Sequence, residues 1–228
     1  MIRILFQGDS ITDGNRYKDN ETRWDLNHQI GHSYAYIIAA TLGRKYPGKY
    51  LFINRGISGD CHDKAKLRWQ SDVLDEKPDI LSILLGINGN YELDGYFPEG
   101  VDEHLRHFDT TYRSLLDATL AQNRDVKLVI IEPFILPVGR YEAHYDEFMK
   151  VFVRKQRIIE KIAKDYGAIF IPMQERICAL VDECAASLRE NECNIDPKKY
   201  WLWDGVHPTE AMHGLLAELW LDATKSIL

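Results

Sequence analysis

Long hydrophobic runs and paired cysteines are both missing from the sequence. No stretch approaches the roughly 18 consecutive apolar residues that a membrane-spanning helix needs. The apolar stretch near the N-terminus is too short for the hydrophobic segment of a secretory signal. The four cysteines (Cys61, Cys178, Cys184, Cys193) form no C-x-x-C pair, so we expect reduced thiols. Together these absences predict a cytoplasmic protein.

The sequence also lacks an excess of basic over acidic residues. The 28 lysines and arginines stand against 35 aspartates and glutamates, which gives a formal charge of −7. Such a chain offers no broad attraction to nucleic acid or to an anionic membrane surface, and we expect neither as a partner. With 228 residues, 45% of them hydrophobic, the chain is long enough to bury a core without disulfides. No Pro/Gly/Ser-rich linker divides it, so we predict a single domain over residues 1–228.

Several signatures of common enzyme classes are absent. Without a G-x-S-x-G nucleophile elbow, the chain does not read as an ordinary α/β-hydrolase. It also lacks G-x-x-x-x-G-K-[ST], G-x-G-x-x-G and H-E-x-x-H. The direct signals for P-loop, dinucleotide-binding and zinc-protease chemistry are therefore missing.

Short β-branched apolar runs alternate with stretches of helical periodicity along the whole chain. This alternation predicts βαβ units and a mainly parallel sheet of about five strands, covered by helices on both faces. The fold class predicted is α/β, a three-layer α/β/α sandwich. The predicted strands are 2–6, 50–53, 80–85, 128–131 and 168–171, and the predicted helices are 33–46, 101–122, 148–166 and a last one beginning at Pro208. Residues 12–31 and 191–205 are expected to be irregular.

The predicted strands are followed by residues that suit acyl transfer by a serine. In an open parallel sheet, ligands bind beyond the carboxyl ends of the strands. Ser10 follows the first strand directly, and a neighbouring base would make its hydroxyl nucleophilic. His207 is the natural base, and Asp204, three residues earlier, is placed to accept a hydrogen bond from its Nδ1–H.

Each of these residues also has a plainer interpretation. Ser10 would serve equally as a helix N-cap, while Asp204 would cap a turn and leave His207 in solvent. A metal site is a further alternative, because His207, Glu210 and His213 recur at three-residue spacing, although no established zinc spacing fits.

Gly59 and Asn88 are candidate donors to an oxyanion. A glycine lets a backbone N–H approach a substrate closely, and an asparagine amide reaches in from a neighbouring strand end. Both are also ordinary turn residues. Trp201 and Trp203 flank the Asp–His segment, where they would either stack on a sugar or fix the loop to the core. Cys61 is interpreted as a structural thiol.

The segments taken together resemble the SGNH hydrolases, also called GDSL esterases and lipases. Gly8-Asp9-Ser10-Ile11-Thr12 is similar to the first block of that family, and Gly59 falls on the glycine of the second. Asn88 falls on the asparagine of the third block, and Asp204-Gly205-Val206-His207-Pro208 reproduces the D-x-x-H-P block. The four blocks occur in family order over nearly the whole chain. The resemblance implies a flavodoxin-like sheet of the SGNH hydrolase type.

A closer likeness is to bacterial intracellular SGNH acetylxylan esterases. It rests on Ile57-Ser58-Gly59, Lys66–Trp69, Leu85–Asn88, Glu132-Pro133-Phe134 and Trp203–Pro208. It implies a serine esterase that removes acetyl groups from xylo-oligosaccharides, often as a homo-oligomer, with no metal or organic cofactor. The implied triad is Ser10, His207 and Asp204, and the implied oxyanion donors are Ser10 N–H, Gly59 N–H and the Asn88 side chain. Asp9 and Trp203 are candidate substrate-binding residues.

Two positions depart from the family pattern. Gly89 stands where the third block usually has aspartate, which removes a carboxylate that could anchor the loop carrying Asn88. Cys61 stands where similar enzymes often have threonine. Two other functions remain as alternatives: hydrolysis of a lipid or thioester with a longer acyl chain, and binding of carbohydrate without catalysis.

Overall fold

The computed structural model describes residues 1–18, 27–89 and 100–228. Within these ranges a parallel sheet has the strand order β2-β1-β3-β4-β5. Its strands are β1 (Ile2–Gly8), β2 (Tyr50–Asn54), β3 (Ile80–Leu84), β4 (Lys127–Ile131) and β5 (Ile169–Ile171). The predicted sheet is confirmed, and every strand end lies within two residues of its predicted position.

Helices cover both faces of this sheet, which confirms the predicted α/β/α layering. The described helices are α1 (Ser10–Asp13), α2 (Asn27–Ile30), α3 (Tyr34–Lys45), α4 (His62–Trp69), α5 (Val101–Gln122), α6 (Tyr145–Asp165), α7 (Gln174–Glu190), α8 (Pro197–Trp201) and α9 (Glu210–Ala223). A π-helical turn (Gln70–Leu74) continues α4, and a 3₁₀ turn (Gly139–Tyr141) precedes α6. No helix within the described ranges is long and apolar enough to cross a bilayer.

The strands are apolar on both faces because each face is buried under a separate layer of helices. Ile4 and Phe6 of β1 contribute to the core that includes α3 and α9. Leu5, between them, points to the opposite face and belongs to the core under α4, α5 and the C-terminal half of α6. This alternation follows from the two-residue period of a strand.

The predicted helices are confirmed with shifted ends, and the start of the last one is wrong. Helix α5 has the predicted bounds, but α9 begins at Glu210, with Thr209 as its N-cap, rather than at Pro208. Pro208 instead pairs with Leu202 in an isolated antiparallel bridge, and the Trp203 N–H donates to the His207 carbonyl at 3.2 Å. Because this bridge keeps Pro208 extended, the helix starts after it.

Helical structure also appears in stretches that were not predicted to contain it. Helix α7 buries only a few of its residues, so its apolar period is weak in the sequence. Helix α8 lies inside the segment predicted to be irregular and begins with Pro197 after the N-cap Asp196. The described part of the other segment predicted to be irregular, 12–31, holds the end of α1 and all of α2, and its residues 19–26 lie outside the described residues.

The strand order places β1 at the point where the direction of the connections reverses. From β1 the chain passes to β2 on one side, and from β3 it passes to β4 on the other. Loops that leave neighbouring strands in opposite directions open a crevice at their carboxyl ends. The segments that follow β1, β2 and β3 therefore meet at one edge of the sheet.

Asn54, at the end of β2, ties two of these segments together. Its side chain is 2% exposed, and Nδ2 donates to the carbonyls of Thr12 at 2.7 Å and Ile30 at 2.8 Å. Its Oδ1 accepts from the Gly56 N–H at 2.9 Å. One buried amide thus bonds three backbone groups away from water, of which the Thr12 carbonyl also accepts from Ser33 Oγ at 2.8 Å.

We predict that Asn54→Ala lowers the free energy of unfolding by about 2–4 kcal/mol, because several buried backbone groups lose their hydrogen bonds. Urea denaturation measures the change. Asn123→Ala is the matched control: the Asn123 side chain accepts a single exposed hydrogen bond from the Asp125 N–H, so its loss should cost less than about 1 kcal/mol. Equal effects of the two substitutions would contradict the role given to Asn54.

Candidate active site

Ser10 lies at the sharp transition from β1 to α1. Asp9 is the N-cap of α1, and its Oδ1 accepts from the Ile11 N–H at 3.0 Å. Gly8 has no room for a side chain, because a Cβ there would lie 2.2 Å from Thr12 Oγ1 and 2.7 Å from the Leu84 carbonyl. The close packing at Gly8 and the cap from Asp9 leave Ser10 as the first residue of the helix, at the carboxyl edge of the sheet.

The segment from Asp204 to His207 folds back on itself around one carboxylate. Asp204 Oδ1 accepts from the backbone N–H groups of Val206 at 3.0 Å and His207 at 2.8 Å. Its Oδ2 lies 2.7 Å from His207 Nδ1. Gly205 makes this turn with a φ of 94°, and its carbonyl accepts from the Leu136 N–H at 2.9 Å. The loop is thereby fixed to the segment that follows β4.

Ser10 and His207 are in hydrogen-bond contact although they stand near opposite ends of the chain. Ser10 Oγ lies 2.8 Å from His207 Nε2. Because the ionised Asp204 carboxylate only accepts, His207 Nδ1 must carry the proton, and in the neutral ring Nε2 is then the acceptor for the serine hydroxyl. The structure thus brings together the three residues singled out in the sequence. They form a relay of hydrogen bonds from serine to histidine to aspartate, which is the order that a catalytic triad requires.

The pKa values of Asp204 and His207 suit a general base, which becomes positively charged when it accepts a proton. Burial would raise the pKa of Asp204, but hydrogen bonds from the His207 ring and from the backbone of His207 and Val206 lower it to about 2. The hydrogen bond to Asp204 raises the pKa of His207, and half-burial of the ring opposes this only in part. Asp204 therefore stabilises the imidazolium form that a general base becomes.

Asp9 lies beneath Ser10 rather than at the open surface. It is 1% exposed, and among the described residues its Oδ2 has no hydrogen-bond partner. Burial raises the pKa of Asp9 to about 7, against the hydrogen bond from the Ile11 N–H and the charge of His207, which both lower it. We considered Asp9 a substrate-binding candidate from the sequence; the structure does not bring its side chain to a surface that a substrate reaches.

Gly59 and Asn88 lie at the ends of the neighbouring loops. Gly59 is exposed with a φ of 78°, and a Cβ there would meet nothing within 4 Å, so space for a ligand adjoins it. Asn88 is half-buried, and its Nδ2 donates to the Asp60 carbonyl at 3.0 Å, which leaves a second N–H on the same nitrogen. Among the described residues, the backbone N–H groups of Ser10 and Gly59 donate to no other group.

The two departures from the family pattern contact each other. Gly89 has a φ of 76°, and a Cβ there would lie 3.0 Å from Cys61 Cβ and 3.6 Å from its Sγ. The Asn88 side chain is held by the Asp60 carbonyl, one residue before Cys61. The loop that carries Asn88 is thus anchored by packing and by a backbone acceptor where the family has a carboxylate.

The two tryptophans have different surroundings. Trp201 is half-buried, and its Nε1 donates to the Leu180 carbonyl at 3.2 Å and to Cys184 Sγ at 3.3 Å, which fixes α8 to α7. Trp203 is 59% exposed and stacks on the His207 ring, with centroids 5.6 Å apart and planes inclined by 20°. Trp203 therefore offers an aromatic face to solvent beside the histidine.

The metal-site alternative at His207, Glu210 and His213 finds no support in the described residues. His213 Nδ1 accepts from the Tyr34 N–H at 3.1 Å, which turns this nitrogen toward α3. Burial lowers the pKa of His213 to about 4. The three side chains do not converge on one point within the described ranges.

Asp13 is a supporting residue that the sequence reasoning missed. Its Oδ2 accepts from Ser58 N at 2.9 Å and Ser58 Oγ at 3.0 Å, so it links α1 to the loop carrying Gly59. Burial would raise the pKa of Asp13, but the Lys18 ammonium and these hydrogen bonds lower it. The acidic residue one turn after Ser10 is a weak sequence signal for this link, because it does not identify the loop that Asp13 contacts.

Comparison with known proteins identifies the family. The model of the GDSL-like lipase/acylhydrolase family matches residues 6–215. The acetylxylan esterase of Geobacillus stearothermophilus is 28% identical over 222 residues, which cover 96% of this chain and 92% of that protein. A crystal structure of a GDSL-like lipase from Parabacteroides merdae has a TM-score of 0.79 and 31% identity, over 98% of this chain and 95% of that one.

The Geobacillus acetylxylan esterase Axe2 also has a known structure. Its TM-score to this chain is 0.71, with 28% identity over 97% of this chain and 93% of that one. Catalytic mutants of Axe2 replace a serine, a histidine or an aspartate by alanine, and the aspartate stands three positions before the histidine. Because the family match spans nearly the whole chain, this protein belongs to the GDSL-like lipase/acylhydrolase family and is a serine esterase of the SGNH type.

Proposed function

We propose that this esterase removes acetyl groups from acetylated xylo-oligosaccharides. In this reaction Ser10 is the nucleophile and His207 is the general base, while Asp204 orients the His207 ring and stabilises its protonated form. The observation that carries the proposal is the continuous relay of hydrogen bonds, 2.8 Å from Ser10 Oγ to His207 Nε2 and 2.7 Å from His207 Nδ1 to Asp204 Oδ2. Axe2 supports the assignment, because its catalytic mutants replace a serine, a histidine and an aspartate that stands three positions before the histidine, as Asp204 does before His207.

In the acylation step, His207 takes the Ser10 proton as Oγ attacks the ester carbonyl carbon. The tetrahedral intermediate collapses as His207 gives that proton to the leaving sugar oxygen, and an acetyl-serine remains. Water then attacks the acetyl group, His207 accepts the water proton, and it returns this proton to Ser10 as acetate leaves. Asp204 stays ionised throughout and stabilises the imidazolium at each transfer.

The negative oxygen of each tetrahedral intermediate needs donors that are already in place. The N–H groups of Ser10 and Gly59 and the second N–H of Asn88 are the donors available at the carboxyl edge of β1, β2 and β3. Removing one such donor typically slows the chemical step by about 10²–10³-fold. Asp13, through Ser58, holds the Gly59 loop in position for this role.

The surface around the relay favours a small acyl group on a sugar. His207 and Asp204 are each about one-third exposed, and Trp203 beside them is 59% exposed. Three surface cavities of about 340–530 Å³ in the described part of the chain are lined by other residues, none of them Ser10 or His207. An aromatic face next to the base suits the apolar face of a sugar ring, while a long acyl chain needs an apolar cavity.

We predict that Ser10→Ala lowers kcat for p-nitrophenyl acetate by about 10⁴-fold or more, because the nucleophile is lost while the fold remains. Single-turnover absorbance measurements follow the reaction, and a fluorophosphonate probe should label the parent protein at Ser10. Ser71→Ala, in the exposed π-helical turn, is the matched control and should keep full activity. Wild-type turnover by Ser10→Ala would overturn the nucleophile assignment, and labelling at Ser10 would exclude a protein that only binds carbohydrate.

The pKa of His207 should lie above its ordinary value near 6.5, because Asp204 stabilises the protonated ring. Since only neutral His207 accepts a proton, kcat/KM should fall as pH drops through this raised pKa. In Asp204→Asn the pKa of His207 should fall toward or below 6.5, and kcat should drop by about 10³–10⁴-fold. ¹⁵N NMR of the histidine rings, with His207→Gln for assignment, measures the pKa directly.

The matched control for this measurement is Asp196→Asn, which changes the exposed N-cap of α8 and should leave both the His207 pKa and the rate unchanged. An unchanged His207 titration in Asp204→Asn would show that the carboxylate does not set the basicity of the ring.

We predict that kcat/KM is highest for acetyl esters and falls at least about 10-fold by the octanoyl ester, since acyl-chain burial needs an apolar cavity. An optimum at an acyl chain longer than about six carbons would instead assign the enzyme to lipids or thioesters.

We also predict that the KM for acetate release from acetylated xylo-oligosaccharides rises about 10-fold in Trp203→Ala but changes little in Trp203→Phe, which keeps a stacking ring.

A further inference from the structure

A cluster of metal-binding side chains lies at the N-terminus of α4, separate from the ester-hydrolysing relay. Cys61, His62 and Asp63 are consecutive, yet they place a thiol sulfur, an imidazole nitrogen and a carboxylate oxygen within 4.8 Å of one another. Thiolate, imidazole and carboxylate are the three ligand types that Zn²⁺ takes in proteins.

Within the described ranges, His62 is buried without a hydrogen bond to either ring nitrogen, and a bound ligand would explain this. The side chain is 2% exposed, and among the described residues neither ring nitrogen makes a hydrogen bond. Its Nε2 lies 3.4 Å from Asp63 Oδ2, a contact without hydrogen-bond geometry. A buried imidazole without partners is costly, and such groups in native proteins usually serve a bound ion, a water or a functional role.

A second histidine orients the carboxylate of the cluster. His107 Nε2, on α5, lies 2.8 Å from Asp63 Oδ1, so the two oxygens of Asp63 face different histidines. Carboxylates that ligate metals are commonly hydrogen-bonded by residues outside the ligand set, as Asp63 is by His107. The rings of His62 and His107 lie 5.5 Å apart.

The local charge is compatible with a divalent cation. The Lys155 ammonium lies over the Phe108 ring at 5.1 Å, on the same aromatic residue that the His62 ring contacts at 4.9 Å. This positive charge opposes a cation nearby. A Cys61 thiolate and the Asp63 carboxylate would supply two negative charges in direct contact with the ion, against the single positive charge of the ammonium.

We infer that Cys61, His62 and Asp63 form a binding site for a thiophilic divalent transition-metal ion, for which Zn²⁺ is the best match, with a fourth position left for water. A tetrahedral zinc site with bonds of 2.0–2.3 Å holds its ligand atoms about 3.3–3.8 Å apart, so rotations of the three side chains complete the geometry. On binding, the Cys61 thiol releases its proton to solvent as the sulfur–metal bond forms.

Spectroscopy with Co²⁺ tests the site directly, because a thiolate bound to tetrahedral Co²⁺ gives a charge-transfer band and strong visible d–d bands. We expect the chelator-treated wild-type protein to bind one equivalent of Co²⁺ with both signals, and Zn²⁺ to abolish them by displacement. Cys61→Ser should lose the charge-transfer band. Asp63→Asn, at a half-exposed position that folding tolerates, should weaken Co²⁺ binding by about 10-fold or more.

Cys178→Ser is the matched control, since Cys178 is an exposed cysteine on α7 outside the cluster, and it should bind Co²⁺ like the wild type. Circular dichroism confirms that each variant is folded. Two results would overturn the inference: absence of the charge-transfer band from the wild-type protein at millimolar Co²⁺, or retention of that band in folded Cys61→Ser.

Discussion

The contact between Ser10 Oγ and His207 Nε2 is the constraint that the packing of the rest of the structure has to satisfy. It joins two residues 197 positions apart, so neither end of the sequence builds the site alone. Packing between α3 and α9 holds these ends together, and the Tyr34 N–H reinforces it by donating to His213 Nδ1. Inside the sheet layer, Trp220 Nε1 donates to Ser82 Oγ at 3.0 Å and fixes α9 to β3. The core thus positions the chemistry by fixing two loops against each other.

Three carboxylates near the nucleophile behave differently because their surroundings differ. Asp204 accepts three hydrogen bonds, two of them from backbone N–H groups, and its pKa falls to about 2. Asp13 is stabilised as an anion by Lys18 and Ser58. Asp9 is enclosed with one oxygen unpartnered, and burial raises its pKa to about 7. The balance between burial and hydrogen-bond supply, rather than distance from Ser10, decides which carboxylate stays charged.

The sheet and the relay were predictable because their signals are strong in the sequence. Buried strands leave unbroken apolar runs, and four short blocks marked Ser10, Gly59, Asn88 and the Asp204–His207 segment. The start of the last helix was not predictable, since the bridge between Leu202 and Pro208 is a tertiary contact with no local signal. The link from Asp13 to Ser58 and the burial of Asp9 were missed for the same reason: both depend on where another loop lies.

Cys61 and Gly89, which depart separately from the family pattern, meet in space, and this has a consequence for how the site tolerates variation. A Cβ at position 89 would lie 3.0 Å from Cys61 Cβ, so a neighbouring atom would have to shift, and the left-handed backbone there already disfavours a side chain. The two positions therefore behave as a single steric unit divided between two loops. Adding a side chain at position 89 therefore requires one of the two loops to move.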